Sequence, residues 1–145
     1  MSPTSKSGLL HSLSAEAARR VGRPEQEVFD AVQAREQLGS TALGRGIALP
    51  HARLDGIDAP LALLARLRRP IEFDAKDGEP VDLVFLVIWP TASPEGFLPA
   101  LSDICRVLRG SQTPRQLRHA KSPEEALDLL RQSGLVGPSE APGTA

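Results

Sequence analysis

Val81-Asp82-Leu83-Val84-Phe85-Leu86-Val87-Ile88 is the stretch on which the fold turns. It is a near-continuous apolar run of strand length, rich in β-branched and aromatic residues, as expected of a strand covered on both faces. A strand buried on both sides requires apolar elements above and below it, so the flanking sequence should supply helices for both faces. It does. Upstream, Leu9, Leu10, Leu13, Ala17, Ala18 and Val21 recur at helical spacing, with Arg19 and Arg20 turned outward and Gly22 as the stop. Pro24, Glu25 and Glu27 then make a good first turn for a second helix, carried by Val28, Phe29, Val32 and Leu38 up to Gly39. Downstream, a helix is expected from about Glu95, with Leu98, Leu101, Ile104, Cys105 and Leu108 on one stripe. Two shorter helices follow, Pro114 to His119 and Ser122 to Gln132, the last opened by an N-cap serine, a proline and two glutamates. The expectation is an α/β fold with helices on both faces of a sheet.

Between the two helical groups the punctuation changes. Residues 39–60 contain Gly39, Gly44, Gly46, Pro50, Gly56 and Pro60, too dense for a helix, around the apolar segment Ile47-Ala48-Leu49. This reads as a loop, a short strand and a turn, with His51 just past the strand. Leu61 to Leu67 reads as another strand, and Asp74 to Pro80 as a polar turn before the central one. Residues 5–134 form one domain in this reading. Residues 135–145, rich in Gly and Pro with little to bury, are expected to be a flexible C-terminal tail.

The chain has 145 residues, enough for one domain with a core and too few for two ordinary ones. Seventeen Lys and Arg against eighteen Asp and Glu give a net charge of −1, without the basic excess that non-specific phosphate-backbone binding needs. Aromatics are 3% of residues, which leaves few stacking platforms for bases or sugars. A lone Cys105 forms no internal disulfide and fits a reducing compartment. No apolar run approaches the ~20 residues of a membrane span, and the first residues do not read as a secretory signal. The expected location is cytoplasmic, with no membrane insertion.

His51 is the foremost candidate for chemistry. An imidazole with a pKa near ~6.5 is a competent neutral nucleophile and can carry a phosphoryl group as well as a proton. Phosphoryl transfer asks a protein for positioning and for positive charge or N–H groups around the oxygens. By sequence proximity, Arg45 and Arg53 are suitable partners, and the bland alternative is an exposed loop histidine without a role. Gly44-Arg45-Gly46 matches neither a dinucleotide fingerprint nor a P-loop, and turn geometry accounts for its glycines equally well. His11, His51 and His119 lack metal-ligand spacing, so neither a metal nor a cofactor is expected. The helix–Gly110–helix outline with Arg106, Arg109, Arg115, Arg118, His119 and Lys121 sketches a helix-turn-helix, yet the neutral net charge argues against nucleic acid. Glu72, Asp74, Asp77 and Glu79 fit a hydrophilic turn without acid–base chemistry.

A resemblance goes further. Arg35-Glu36-Gln37-Leu38-Gly39-Ser40-Thr41, Gly46-Ile47-Ala48-Leu49-Pro50-His51-Ala52-Arg53, Pro70-Ile71-Glu72-Phe73-Asp74-Ala75, Asp77 to Phe85 and Leu98-Pro99-Ala100-Leu101 occur in one order. Together they resemble the enzyme IIA domains of the bacterial phosphoenolpyruvate-dependent phosphotransferase system, in the fructose/mannitol and nitrogen-regulatory branch, over about residues 5–132. The resemblance implies a mixed β-sheet flanked by helices. It implies a phosphoryl group accepted on His51 from a phosphorylated HPr-type carrier protein, with Arg35 holding the phosphate charge, which leaves Arg45 and Arg53 only as carrier-docking charges. For the nitrogen-regulatory branch it also implies regulated target proteins, in potassium transport or nitrogen-related processes. With no IIB or IIC part in the chain, a stand-alone regulatory protein is expected in preference to a sugar-specific, fructose-type component. One position departs from the pattern. Where the family carries a second histidine at the start of the later helix, this sequence has Phe97, and a phenyl ring cannot donate a hydrogen bond to a phosphoryl oxygen. Either transfer is weakened or another donor, such as Ser93, fills the gap.

Overall fold

The computed structural model describes residues 5–110, 112–132 and 143–144. Helices α1 (Lys6–Val21) and α2 (Glu25–Gln37) come first, followed by the short strands β1 (Ala42–Gly44), β2 (Ile47–Ala48) and β3 (His51–Leu54). The long strands β4 (Leu61–Ile71) and β5 (Val81–Pro90) lead to helices α3 (Phe97–Arg109), α4 (Gln112–His119) and α5 (Pro123–Gln132), and β6 (Gly143–Thr144) ends the series. Apart from β6, which pairs in parallel with β4, the expected tail lies outside the described residues.

The sheet is mixed and centred on β5. β4 pairs with it antiparallel, while β2 and β3 pair with it in parallel. β2 and β3 occupy one edge of β5 in succession, since Ile47 and Ala48 lie opposite Leu83 and Val84, and His51 to Leu54 opposite Val87 to Pro90. The break between them at Leu49–Pro50 stays in the ladder because the Val87 N–H donates to the Pro50 carbonyl at 3.0 Å.

β5 sorts its side chains by parity, as a strand buried on both faces must. Val84, Leu86 and Ile88 pack with Leu9, Leu13, Val28 and Val32 of α1 and α2. Leu83, Phe85 and Val87 pack with Ile104, Leu108, Leu117 and Leu130 of the three C-terminal helices. The two-faced α/β expectation therefore holds.

The structure corrects two boundaries. β4 continues past Leu67 to Ile71 although Pro70 has no N–H to donate. The ladder with β5 is irregular between Arg66 and Ile71 and resumes at the Ile71–Val81 pair. The Gly-rich region contains three short strands where one was expected, and His51 opens β3 instead of lying in a loop past a strand. Periodicity over two to four residues is too short to read, and pairing with β5 decides these strands.

Candidate functional site

His51 is half-buried at the head of β3, beside Val87 of β5 and on the sheet face covered by α3. Its Nδ1 lies 2.8 Å from the Leu49 carbonyl oxygen. That oxygen can only accept, so Nδ1 carries the proton and the Nε2 lone pair is exposed to partners. Arg35, on the last turn of α2, donates its Nε–H to this Nε2 at 3.2 Å, and one of its terminal nitrogens donates to the Gly39 carbonyl at 3.0 Å. Burial holds the imidazole below its usual pKa of 6.5; the Leu49 hydrogen bond opposes this, the Arg35 charge adds to it, and Glu36 opposes it. The ring is therefore neutral at neutral pH.

Arg35 keeps its position because its neighbour is anchored. The buried Glu36 carboxylate accepts from the Thr41 N–H at 2.9 Å and from its hydroxyl at 2.6 Å, and pairs with Lys6 Nζ at 3.0 Å. These bonds tie the end of α2, the start of β1 and the first turn of α1 together. Ser40 adds a bond from its hydroxyl to the Phe73 carbonyl at 2.7 Å.

The other helical layer supplies Phe97. Gly96, at φ +92°, turns the chain into α3, and Trp89 braces the preceding loop by donating its indole N–H to the Ser93 carbonyl at 2.7 Å. Phe97 then meets His51 edge-on, with ring centroids 6.0 Å apart, and lies tilted against Trp89 at 5.6 Å. Phe97, which stands where the resemblance implies a second histidine, thus packs against the candidate nucleophile.

His51 and Arg35 open onto a cleft of about 590 Å³ walled by the β1–β2 turn, the β4–β5 connection and α3. Arg45, Lys76 and Arg109 line it as well, so of the two arginines near His51 in sequence one shares its cleft. Arg53 is exposed on β3. Asp77 has a structural task at the cleft wall. It accepts from the backbone N–H groups of Arg45 and Glu79, which hold its carboxyl below the usual carboxylate range. Among the described residues no cluster of His, Cys, Asp and Glu could hold a metal, and no helix is long and apolar enough to cross a membrane.

Proximity in the chain puts Arg45 and Arg53 beside His51 and gives no sign of Lys76 or Arg109 as neighbours. A helix end sixteen residues away carries no local signal of contact; only the resemblance pointed to Arg35.

Comparison with known proteins adds to this geometry. Residues 2–133 match the family described as phosphoenolpyruvate-dependent sugar phosphotransferase system, EIIA 2. The chain is 40% identical over 126 residues to a nitrogen regulatory protein of Bradyrhizobium diazoefficiens, covering 87% of this chain and 82% of that one. It is 38% identical over 128 residues to a nitrogen regulatory protein of Escherichia coli, covering 87% and 78%. The crystal structure of nitrogen regulatory protein IIA-Ntr from Neisseria meningitidis superposes with a TM-score of 0.85 at 33% identity, over 90% of this chain and 89% of that one.

Proposed function

This chain belongs to the EIIA type 2 family of the phosphoenolpyruvate-dependent sugar phosphotransferase system, and from that premise we propose that it is a nitrogen-regulatory phosphoprotein whose His51 accepts a phosphoryl group at Nε2. The carrying observation is the pair of bonds on the ring. Nδ1 is held by the Leu49 carbonyl, so the free lone pair belongs to Nε2, at the nitrogen that faces Arg35 and the cleft. In the reaction the Nε2 lone pair attacks phosphorus on a phosphorylated HPr-type carrier. The carrier's P–N bond breaks, and its electron pair stays on the departing imidazole. The Arg35 guanidinium moves from the lone pair to the phosphoryl oxygens, where a planar cation with several N–H groups is well matched to the charge.

Exposed Leu38 and Leu98 stand close in the chain to Arg35 and Phe97 and offer the carrier apolar contact. A phosphoryl group adds about two negative charges at His51. That reverses the local potential, so target proteins distinguish the two states by charge. Phe97 offers the phosphoryl group no hydrogen bond, and transfer is slower than with a second histidine. The lone Cys105 accords with work in the cytoplasm.

The test is incubation with phosphoenolpyruvate, enzyme I and an HPr-type carrier, followed by intact mass before and after mild acid. An acid-labile gain of one phosphate that disappears in His51→Ala supports the reading. No gain, or one that persists in that variant, leaves a non-catalytic binding protein of the same fold.

A further inference from the structure

Arg45 occupies a backbone position that few arginines adopt. It sits at φ +58° between Gly44 at +95° and Gly46 at +80°, in the turn joining β1 to β2. Glycine is the residue this conformation favours, and an arginine there pays a conformational penalty that its side chain must justify. The backbone around it is held from both sides. Its N–H donates to Asp77 at 2.9 Å, and its carbonyl accepts from Arg118 at 2.8 Å, itself paired with Asp82 at 2.9 Å. The turn is thus a firm mount for Arg45, which lines the His51 cleft.

Two further cations reach the same cleft from other elements: Lys76 from the β4–β5 connection and Arg109 from the last turn of α3. Among the described residues, no carboxylate pairs with the side chains of Arg45, Lys76 or Arg109. Asp77, the carboxylate on this wall, is committed to the two backbone N–H groups described above. In a chain whose net charge is −1, this is a marked local excess of positive charge, and the volume lies within the range of small-molecule sites.

We propose that Arg45, Lys76 and Arg109 form an anion-binding subsite in the cleft, separate from the phosphoryl position at Arg35 and His51, that takes a small ligand bearing two or more phosphate-type charges. Convergence from three elements suits a polyanion better than a single charge, because each cation can meet a different group. Arg45, Lys76 and Arg109 line the cleft whether or not His51 is a phosphoryl acceptor.

The probe is inorganic pyrophosphate, titrated calorimetrically against the unphosphorylated full chain at about 150 mM salt, where exposed charges farther apart than ~8 Å are screened. Single-site saturable binding is expected, weakened at least tenfold by Arg45→Gly and by Arg109→Ala. Arg45→Gly suits its backbone angle and should keep the wild-type unfolding midpoint. Absence of saturable binding, or binding that survives both substitutions, overturns the proposal. A wild-type chain that accepts no phosphate yet binds pyrophosphate as described refutes the phosphoprotein reading and leaves this subsite standing.

Discussion

Arg35 Nε donates to His51 Nε2 across 3.2 Å, joining the end of α2 to the head of β3. The contact does two things to the imidazole: it marks which nitrogen is unprotonated, and it puts a fixed positive charge where a phosphoryl group would build up negative charge. Replacing Arg35 by alanine removes a charge-assisted hydrogen bond worth ~1.5–3 kcal/mol, which lowers the rate of phosphoryl acceptance roughly ten- to hundred-fold. Lysine recovers part of the loss, because it restores charge without the planar fork. Quenched-flow measurement of phosphate incorporation distinguishes the three proteins; equal rates would show that Arg35 has no part in transfer.

Phe97 is the second point of leverage. Its ring packs against His51 and cannot donate, so Phe97→His supplies an N–H and should accelerate transfer ten- to hundred-fold by the same energetic reasoning. An unchanged rate in the same assay sinks the claim that this position limits transfer.

The pH profile follows from burial. Because the folded-state pKa of His51 lies below the usual 6.5, the neutral nucleophile persists to lower pH than for a free imidazole. Phosphoryl acceptance should be flat through neutral pH and fall only with a midpoint under 6.5. Folding stability follows the same sign: the unfolded chain takes up the proton first, so the native state loses stability as pH falls below about 6.5. NMR titration of the His51 ring gives the midpoint directly, and a value above 6.5 would contradict the assigned environment.

Glu36 is a structural prediction with a functional echo. Removing its carboxylate strands the Thr41 N–H and hydroxyl and leaves Lys6 without this partner. Glu36→Ala should cost about 1–3 kcal/mol in urea unfolding, and Glu36→Gln less, since an amide oxygen still accepts from Thr41. Arg35 is set on the turn that Glu36 anchors, so phosphoryl acceptance should fall alongside stability in the alanine variant. Stability equal to wild type in Glu36→Ala would mean that the Thr41 contacts are replaced by water without loss.

Much of this protein is written in local pattern. The parity of β5, the helical spacing of Leu9 to Val21 and the capped start of the last helix at Ser122 each depend on residues a few positions apart. Periodicity reads them because burial on one face or two repeats every 2 or 3.6 residues. His51 also stood out in the sequence, by residue type and by the company of the Leu49-Pro50-His51-Ala52 motif. What surrounds His51 was decided elsewhere. β1 and β3 are too short to carry a period and exist through their partners: β1 through its pairing with β2, and β3 through its ladder with β5. Arg45 is mounted by Asp77 and Arg118, 32 and 73 residues along the chain. Arg35 arrives from one helical layer and Phe97 from the other, and they meet the imidazole only because β3 lies at the sheet edge between those layers. Hydrogen bonds and ring contacts depend on separations of a few ångströms, which the order of residues does not express; the residue types were legible in the sequence, and their proximity was a product of packing.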